Sequence, residues 1–528
     1  MSDRRIKFER RVGRIGFMGR GSRVPHRYKP EAPHSIAIRI GQHKVLTSRE
    51  QTEATRREMS ALPGLPRMLF TRIPDAVVRP ETGEDVAGSL EICLDEQTPV
   101  VPRGSATAGL GGSIPVRGGI VIDTGGLAGI ADMDPESFTA TVNAGAIWSD
   151  VRAALEGRGF TLLSYPSSAA GSTVGGWAST GGYGIGTLKH GNFHRQIQSL
   201  EVALPSGFLI EATGAEGRYS ISTFTGTEGQ IGIITRVTMK VMRVPEKTAS
   251  LVIRPRDFTE GIRIYEKVQA MECPPCSVEL ADSGAAALYA DRAGDGGVSG
   301  ANEGAFSGAG EGGVSRAGPG RPFLLMSDRG GDLEVRRFVD TCGALLSGSD
   351  AEVEAGVDAD ALRLKRYSNL MRLGEDSSWA ICDVLVRSDL LGRLLSWLRG
   401  WGGPAGKGGV HANKLLECRA VDRGLSLVSV TCLTPGEGMA GVPRAFYGAR
   451  RVLAGAVAMG AVPYGAGIWN SPYINVILGK RKKELARIKG EVDRLHILNP
   501  GKFFSITTSS GIPVPGWTLK AIMRLGRA

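Results

Sequence analysis

The chain has 528 residues, with 64 Lys and Arg against 53 Asp and Glu and a net charge of +11. That length exceeds a single core and calls for more than one domain. No apolar run approaches the roughly 20 residues of a membrane span, no secretory leader is visible, and seven scattered cysteines argue against a disulfide framework; a cytoplasmic protein is expected.

Residues 1–60 read as a basic, weakly periodic extension. The cations from Arg4 to Lys29 face only Asp3 and Glu9. Such an arm is either a solvated extension or a contact for an anionic partner. No aromatic residues interleave with the charges to stack bases, so nucleic acid is not expected.

Residues 61–245 are rich in glycine and β-branched residues. After Val100 and Val101 comes Pro102-Arg103-Gly104-Ser105-Ala106-Thr107-Ala108-Gly109-Leu110-Gly111-Gly112. A run this small buries little, but its exposed N–H groups can close around an anion. Ser137–Gly145 alternates as a strand, and Ile147–Leu155 has helical spacing. A second small-residue segment runs from Ser164 to Gly184, with Pro166, Ser167, Ser168, Thr173, Gly175, Gly176 and Thr180. Leu200–Leu204 and Phe208–Ile210 form a hairpin about Pro205-Ser206-Gly207. Phe224-Thr-Gly-Thr-Glu-Gly-Gln then leads into a long strand through Gly232, Ile233 and Ile234. Hairpins beside helices give an α+β class rather than a purely parallel sheet.

Residues 246–470 form a second domain interrupted by a glycine-rich insert at 294–320. That insert matches GxGxxG at Gly308–Gly313, but no strand precedes it, so it reads as a flexible loop. Cys273-Pro-Pro-Cys276 has redox-like spacing. Its prolines remove the helix N-terminus that would lower a thiol pKa, so a structural role is expected. Residues 471–528 close the chain with a charged helix and a Pro- and Gly-punctuated tail.

The ordered motifs PRGSATAGLGG, STVGGWASTGGYG, KHGNFHRQI, FTGTEGQIGIIT and Leu498-Asn-Pro-Gly-Lys502 resemble the vanillyl-alcohol-oxidase, or PCMH-type, flavoproteins. The likeness is strongest over residues 70–245, to the branch of glycolate oxidase FAD subunits and D-lactate dehydrogenases. It implies two α+β subdomains holding FAD (residues 61–245), an α/β cap with a substrate site (246–470), and a C-terminal segment returning to the FAD domain. By position, Pro102 to Ala108 would hold the pyrophosphate. Pro166, Ser167, Ser168, Thr173, Gly175, Gly176 and Thr180 would form a second wall, and Gly232, Ile233 and Ile234 would pack along the adenosine or ribityl part. Thr107 stands where some relatives tether FAD through histidine, so non-covalent FAD is expected. Asp123 is expected to be structural.

In the cap, Arg372 is the implied carboxylate clamp; the bland reading pairs it with Glu375. The family's two histidine motifs correspond to Gly409–Asn413, with His411, and to Pro463–Ile468, with Tyr464 in place of histidine. His411 or Tyr464 is the expected base, and no metal is expected. The resemblance implies oxidation of a small 2-hydroxy acid such as glycolate or D-lactate. Electrons would leave to an external acceptor, an iron–sulfur partner subunit among the candidates; oligomers are compatible. The alternative is an FAD-binding electron-transfer or scaffold subunit without hydroxy-acid activity. Non-redox flavin chemistry calls for a histidine-rich cap, and this cap offers only His411.

Overall fold

The computed structural model describes residues 31–59, 62–214, 216–289, 321–401, 413–435 and 437–522. The basic stretch Arg4–Lys29, the insert 294–320 with its GxGxxG match, and His411 lie outside them.

Three sheets organise the chain. The first runs Val45–Leu46, Ala76–Val78, Ile120–Asp123, Val100–Arg103. Its last three strands are parallel. Ala76–Val78 is buried throughout, as a strand covered on both faces requires. The helix Gly83–Asp95 follows, opened by a capping box in which Thr82 and Asp85 exchange hydrogen bonds.

The second sheet is antiparallel and centres on Ile233–Arg243. That strand pairs with Thr139–Asn143, Ile197–Ala203 and Phe160–Leu162, while Ile130–Asp134 and Leu209–Thr213 form the edges. The strand expected at 137–145 and the hairpin expected at 200–210 fall here. The expected helix is Trp148–Glu156. Both sheets share one apolar core.

Two distant segments enter that core. Ala32 and Ile36 of the helix Ala32–Ile40 are fully buried in it, so residues 31–59 pack against the domain that follows. Leu498 bridges Val100, with Val100 N–H donating to Ile497 O at 2.8 Å, so the C-terminal segment closes the first sheet.

The third sheet has eight strands and is antiparallel throughout. Its order is Glu352–Ala355, Lys247–Arg254, Phe323–Gly330, Ser277–Ala281, Asn413–Asp422, Leu425–Pro435, Ser377–Arg387, Val462–Pro463. Alternation sorts its side chains onto two faces. Cys382, Val384, Val428, Val430, Cys418 and Ala420 face a second apolar core with the helices Ser388–Gly400 and Val442–Ala458. Ile381, Asp383, Leu427, Ser429, Glu417 and Arg419 belong to the opposite face. Arg363 and Arg366 of the helix Ala359–Asp376 reach across to that face. No helix among the described residues is long and apolar enough to cross a membrane.

Candidate functional site

The site begins where the strand Val100–Arg103 ends. In parallel sheets, ligands collect beyond the carboxyl ends of strands. Here the chain enters the small-residue loop, with Ala106 at φ 57°, Gly109 at 64° and Gly111 at 81°. Ala106 holds a left-handed conformation that a side chain disfavours.

The loop is anchored from outside. Glu58 accepts from Gly111 N–H at 2.7 Å and Ser113 N–H at 2.8 Å. Lys502 donates to Gly112 O at 2.8 Å and Ile114 O at 2.6 Å. Burial pushes the Lys502 ammonium down to about 7, against the pull of Glu58 and Glu228. Arg103 turns its guanidinium away from the loop onto Thr55 O and Arg57 O.

The second small-residue segment meets this loop directly. Thr173 caps the helix Val174–Thr180, its Oγ1 accepting from Gly176 N–H at 3.3 Å. Thr107 Oγ1 lies 3.0 Å from Ser172 Oγ, and Ser168 Oγ lies 2.5 Å from the same hydroxyl. A Cβ at Gly104 would overlap Thr173 Oγ1, and one at Gly175 would come within 2.6 Å of Ala144 Cβ. Both positions are bare because two walls close on each other there.

Gly104, Ser105 and Thr173 form a waist between two cavities. The first holds Pro102 to Ala108, Pro166, Ser167, Ser168, Gly175, Gly176, Thr180, Ile233 and Ile234 on its walls. Gly232 lies off the wall; a Cβ there would meet Val202 Cγ1 at 2.5 Å, so it serves packing between strands. The second cavity reaches Asp123, Gly125 and Gly145. Asp123 accepts from Gly125 N–H at 3.0 Å and pairs with Arg79 at 3.5 Å, a structural use. A narrow, side-chain-poor waist between two chambers suits a diphosphate carrying a bulky group at each end.

The cap supplies the far wall of the first cavity: Arg366, Tyr367, Leu370, Asp383, Arg419 and Tyr464, among others. Tyr464 N–H donates to Asp383 O at 2.9 Å, and its hydroxyl accepts from Tyr183 N–H at 3.2 Å. Glu228 holds the next turn by accepting from Ala466 N–H at 2.6 Å and Gly467 N–H at 2.7 Å. Burial pushes the Tyr464 phenol up to about 12, so it stays protonated at neutral pH.

Behind this wall runs a buried ionic row. Arg366 grips both oxygens of Glu417, with Nε at 2.5 Å, and Tyr289 donates to the same carboxylate at 2.8 Å. Glu279 accepts from Arg363 at 2.6 Å and Arg419 at 2.8 Å. Burial alone would raise the Glu279 carboxyl, but the two guanidinium groups outweigh it and hold it at about 2. Asp360 joins the same network, pairing with Arg363 at 3.0 Å and Arg152 at 2.9 Å.

The structure therefore brings both glycine-rich segments, Ile233, Ile234 and Tyr464 to one cleft. Arg372 lies in the helix Ala359–Asp376, but its side chain is outside the described set. Sequence reasoning missed Glu58, Arg366, Asp383 and Arg419. A signal existed for the last three: Glu417, Arg419 and Asp383 are polar residues set inside otherwise apolar strands, and Arg363 and Arg366 share one face of a helix.

Residues 74–213 match a family model described as an FAD binding domain. The chain is 26% identical over 467 residues to glycolate oxidase subunit GlcD of Bacillus subtilis (strain 168), covering 83% of this chain and 90% of that protein. It is 28% identical over 212 residues to a D-lactate dehydrogenase of Anaerostipes hadrus, covering 39% of this chain and 44% of that one. The fold superimposes on p-cresol methylhydroxylase with a TM-score of 0.70 at 18% identity, over 91% of this chain and 96% of that chain. The architecture is thus the PCMH-type flavoprotein fold, and the cofactor is FAD. The waist and its two chambers fit that dinucleotide.

Proposed function

We infer that this chain is an FAD-dependent oxidoreductase of the glycolate oxidase and D-lactate dehydrogenase kind, and that it oxidises the CH–OH group of a small 2-hydroxy acid such as glycolate or D-lactate. One observation carries the reading: the two glycine-rich segments meet at the Thr107–Ser172 contact, and the cleft they form opens onto the polar wall of the cap.

Main-chain N–H groups of Arg103 to Ala108 would hold the diphosphate, while the N–H groups that open the helix Val174–Thr180 are spent on Ala146 O, Ala144 O and Thr173 Oγ1, so that segment closes the opposite side of the waist. Small side chains allow the backbone to approach it closely. Ile233 and Ile234 pack along the ligand. FAD, when bound, supplies a two-electron acceptor for hydride. The cap wall orients the substrate beside it, and Tyr464, protonated at neutral pH, acts as a hydrogen-bonding group rather than the base. Arg372, in the helix that supplies Arg366, remains our candidate for the substrate carboxylate. Thr107 contacts Ser172, and no His or Cys lines the described cavity wall, which supports non-covalent attachment. The electrons leave to an acceptor outside this chain, because its seven cysteines are free and scattered.

The test is anaerobic addition of D-lactate and of glycolate to the purified holoprotein. The visible flavin absorbance is expected to bleach with at least one of them. Full oxidation persisting with every 2-hydroxy acid overturns the substrate reading and favours an electron-transfer or scaffold subunit.

A further inference from the structure

The charged side chains on the wall of the first cavity are all engaged within the protein, and one carboxylate oxygen among them is left unpaired. Glu58 and Glu228 accept backbone N–H groups. Arg103 holds backbone carbonyls, Arg366 holds Glu417, and Arg419 holds Glu279. That unpaired oxygen belongs to Asp383, whose carboxyl also accepts a hydrogen bond from the Ser429 side chain. Its Oδ1 is sealed from solvent and has no hydrogen-bond partner. Leaving a buried acceptor unpaired is unfavourable, so such an atom calls for a partner.

Its setting is rigid. Asp383 lies mid-strand in Ser377–Arg387, in register with Ser429, which in turn is in register with Glu417. Its carbonyl receives Tyr464 N–H at 2.9 Å. The side chain therefore stands on the last long strand of the cap sheet, beside Tyr464, on the cap wall of the cavity.

We propose that Asp383 is the proton-accepting residue of this site: its carboxylate, partly exposed to the cavity, turns to receive the hydrogen bond of the substrate hydroxyl and then its proton. This rests on the proposed oxidation of a CH–OH group. The O–H bond breaks with its proton on the carboxylate and its electron pair closing the new C=O bond; the C–H bond breaks with its pair leaving as hydride to the bound flavin. Burial raises the Asp383 carboxyl towards the range where a base works well. The charged or titratable groups around it are Arg366 and Arg419, which lower it, Glu417, which raises it, Tyr464 beside it and Arg450 behind the sheet.

The experiment compares holo wild type, Asp383→Asn and Asp383→Ala. It reads anaerobic flavin reduction by D-lactate and glycolate, and calorimetric binding of D-lactate and of its deoxy analogue, propionate. Asp383→Asn should keep its flavin and bind propionate within about threefold of wild type, while reduction slows by about 10²–10⁴. Asp383→Ala should lose the preference for D-lactate over propionate. Reduction of Asp383→Asn within about threefold of wild type overturns the proposal, as does an undiminished hydroxyl preference in Asp383→Ala. If neither variant folds, the wild type decides. Its reduction rate should rise with pH through one ionisation above the ordinary carboxylate range, and a flat profile overturns the assignment. A wild type reduced by no 2-hydroxy acid is a separate result: it removes the proposed function, and this role with it.

Discussion

Gly104→Val is expected to yield a folded protein that carries less flavin, with FAD affinity reduced about 5–150-fold, the equivalent of the roughly 1–3 kcal/mol that overpacking costs. The reasoning is steric. Gly104 sits where the end of the first parallel sheet meets the cap of the helix Val174–Thr180. A Cβ there would already overlap Thr173 Oγ1, the hydroxyl that accepts Gly176 N–H. Two further methyl groups would fill the waist that joins the two cavities. The damage should stay local, because Gly104 is a loop residue outside the apolar cores. Flavin absorbance per chain and calorimetric titration with FAD measure the effect, and the thermal midpoint of the apoprotein controls for folding. Unchanged FAD affinity would show that the waist does not carry the diphosphate.

Arg366→Met should cost about 3–5 kcal/mol of stability, the usual penalty for stranding one member of a buried ion pair. Glu417 is buried and held by two hydrogen bonds from Arg366 and one from Tyr289. Without Arg366, burial is no longer outweighed by the adjacent guanidinium. The remaining charge, Arg419, already serves Glu279. Removing both charges with Arg366→Met and Glu417→Leu should recover much of the loss, since an apolar pair of similar volume needs no desolvation. Denaturant midpoints of the two single variants and the double variant check this. A single variant as stable as wild type would mean that the row does not hold the cap together.

The two halves of the site were unequally legible, and the reason is locality. The FAD side is written in short stretches. A strand, a loop of bare residues and a capped helix follow one another within a few positions, and their function needs small side chains that composition alone reveals. The capping box at Thr82 and Asp85, the helix after Ile147 and the hairpin at Pro205 are equally local.

The cap site is assembled from Glu279, Arg366, Asp383, Glu417 and Arg419, which come from four parts of the chain. Only the strand order 277–281, 413–422, 425–435, 377–387 sets them in one row, and that order is a tertiary fact. What the sequence does carry is the anomaly of charged residues at inward positions of apolar strands. Glu58 was hidden differently. It follows a weakly periodic, basic region that reads as an extension, yet residues 31–59 dock on the core, and Glu58 reaches Gly111 and Ser113 more than fifty residues away. Tyr464 was found by its place in a motif, but its burial, which keeps the phenol protonated, is visible only in three dimensions.

The central claim is that Arg103–Ala108 and Thr173–Thr180 converge on one dinucleotide. The measurement that tests it most directly is the flavin content of the purified protein, read from its visible spectrum and then from the supernatant after acid precipitation. The account predicts one FAD per chain, released intact into the supernatant as the proposed non-covalent binding requires. A colourless chain that takes up no added FAD would contradict the claim.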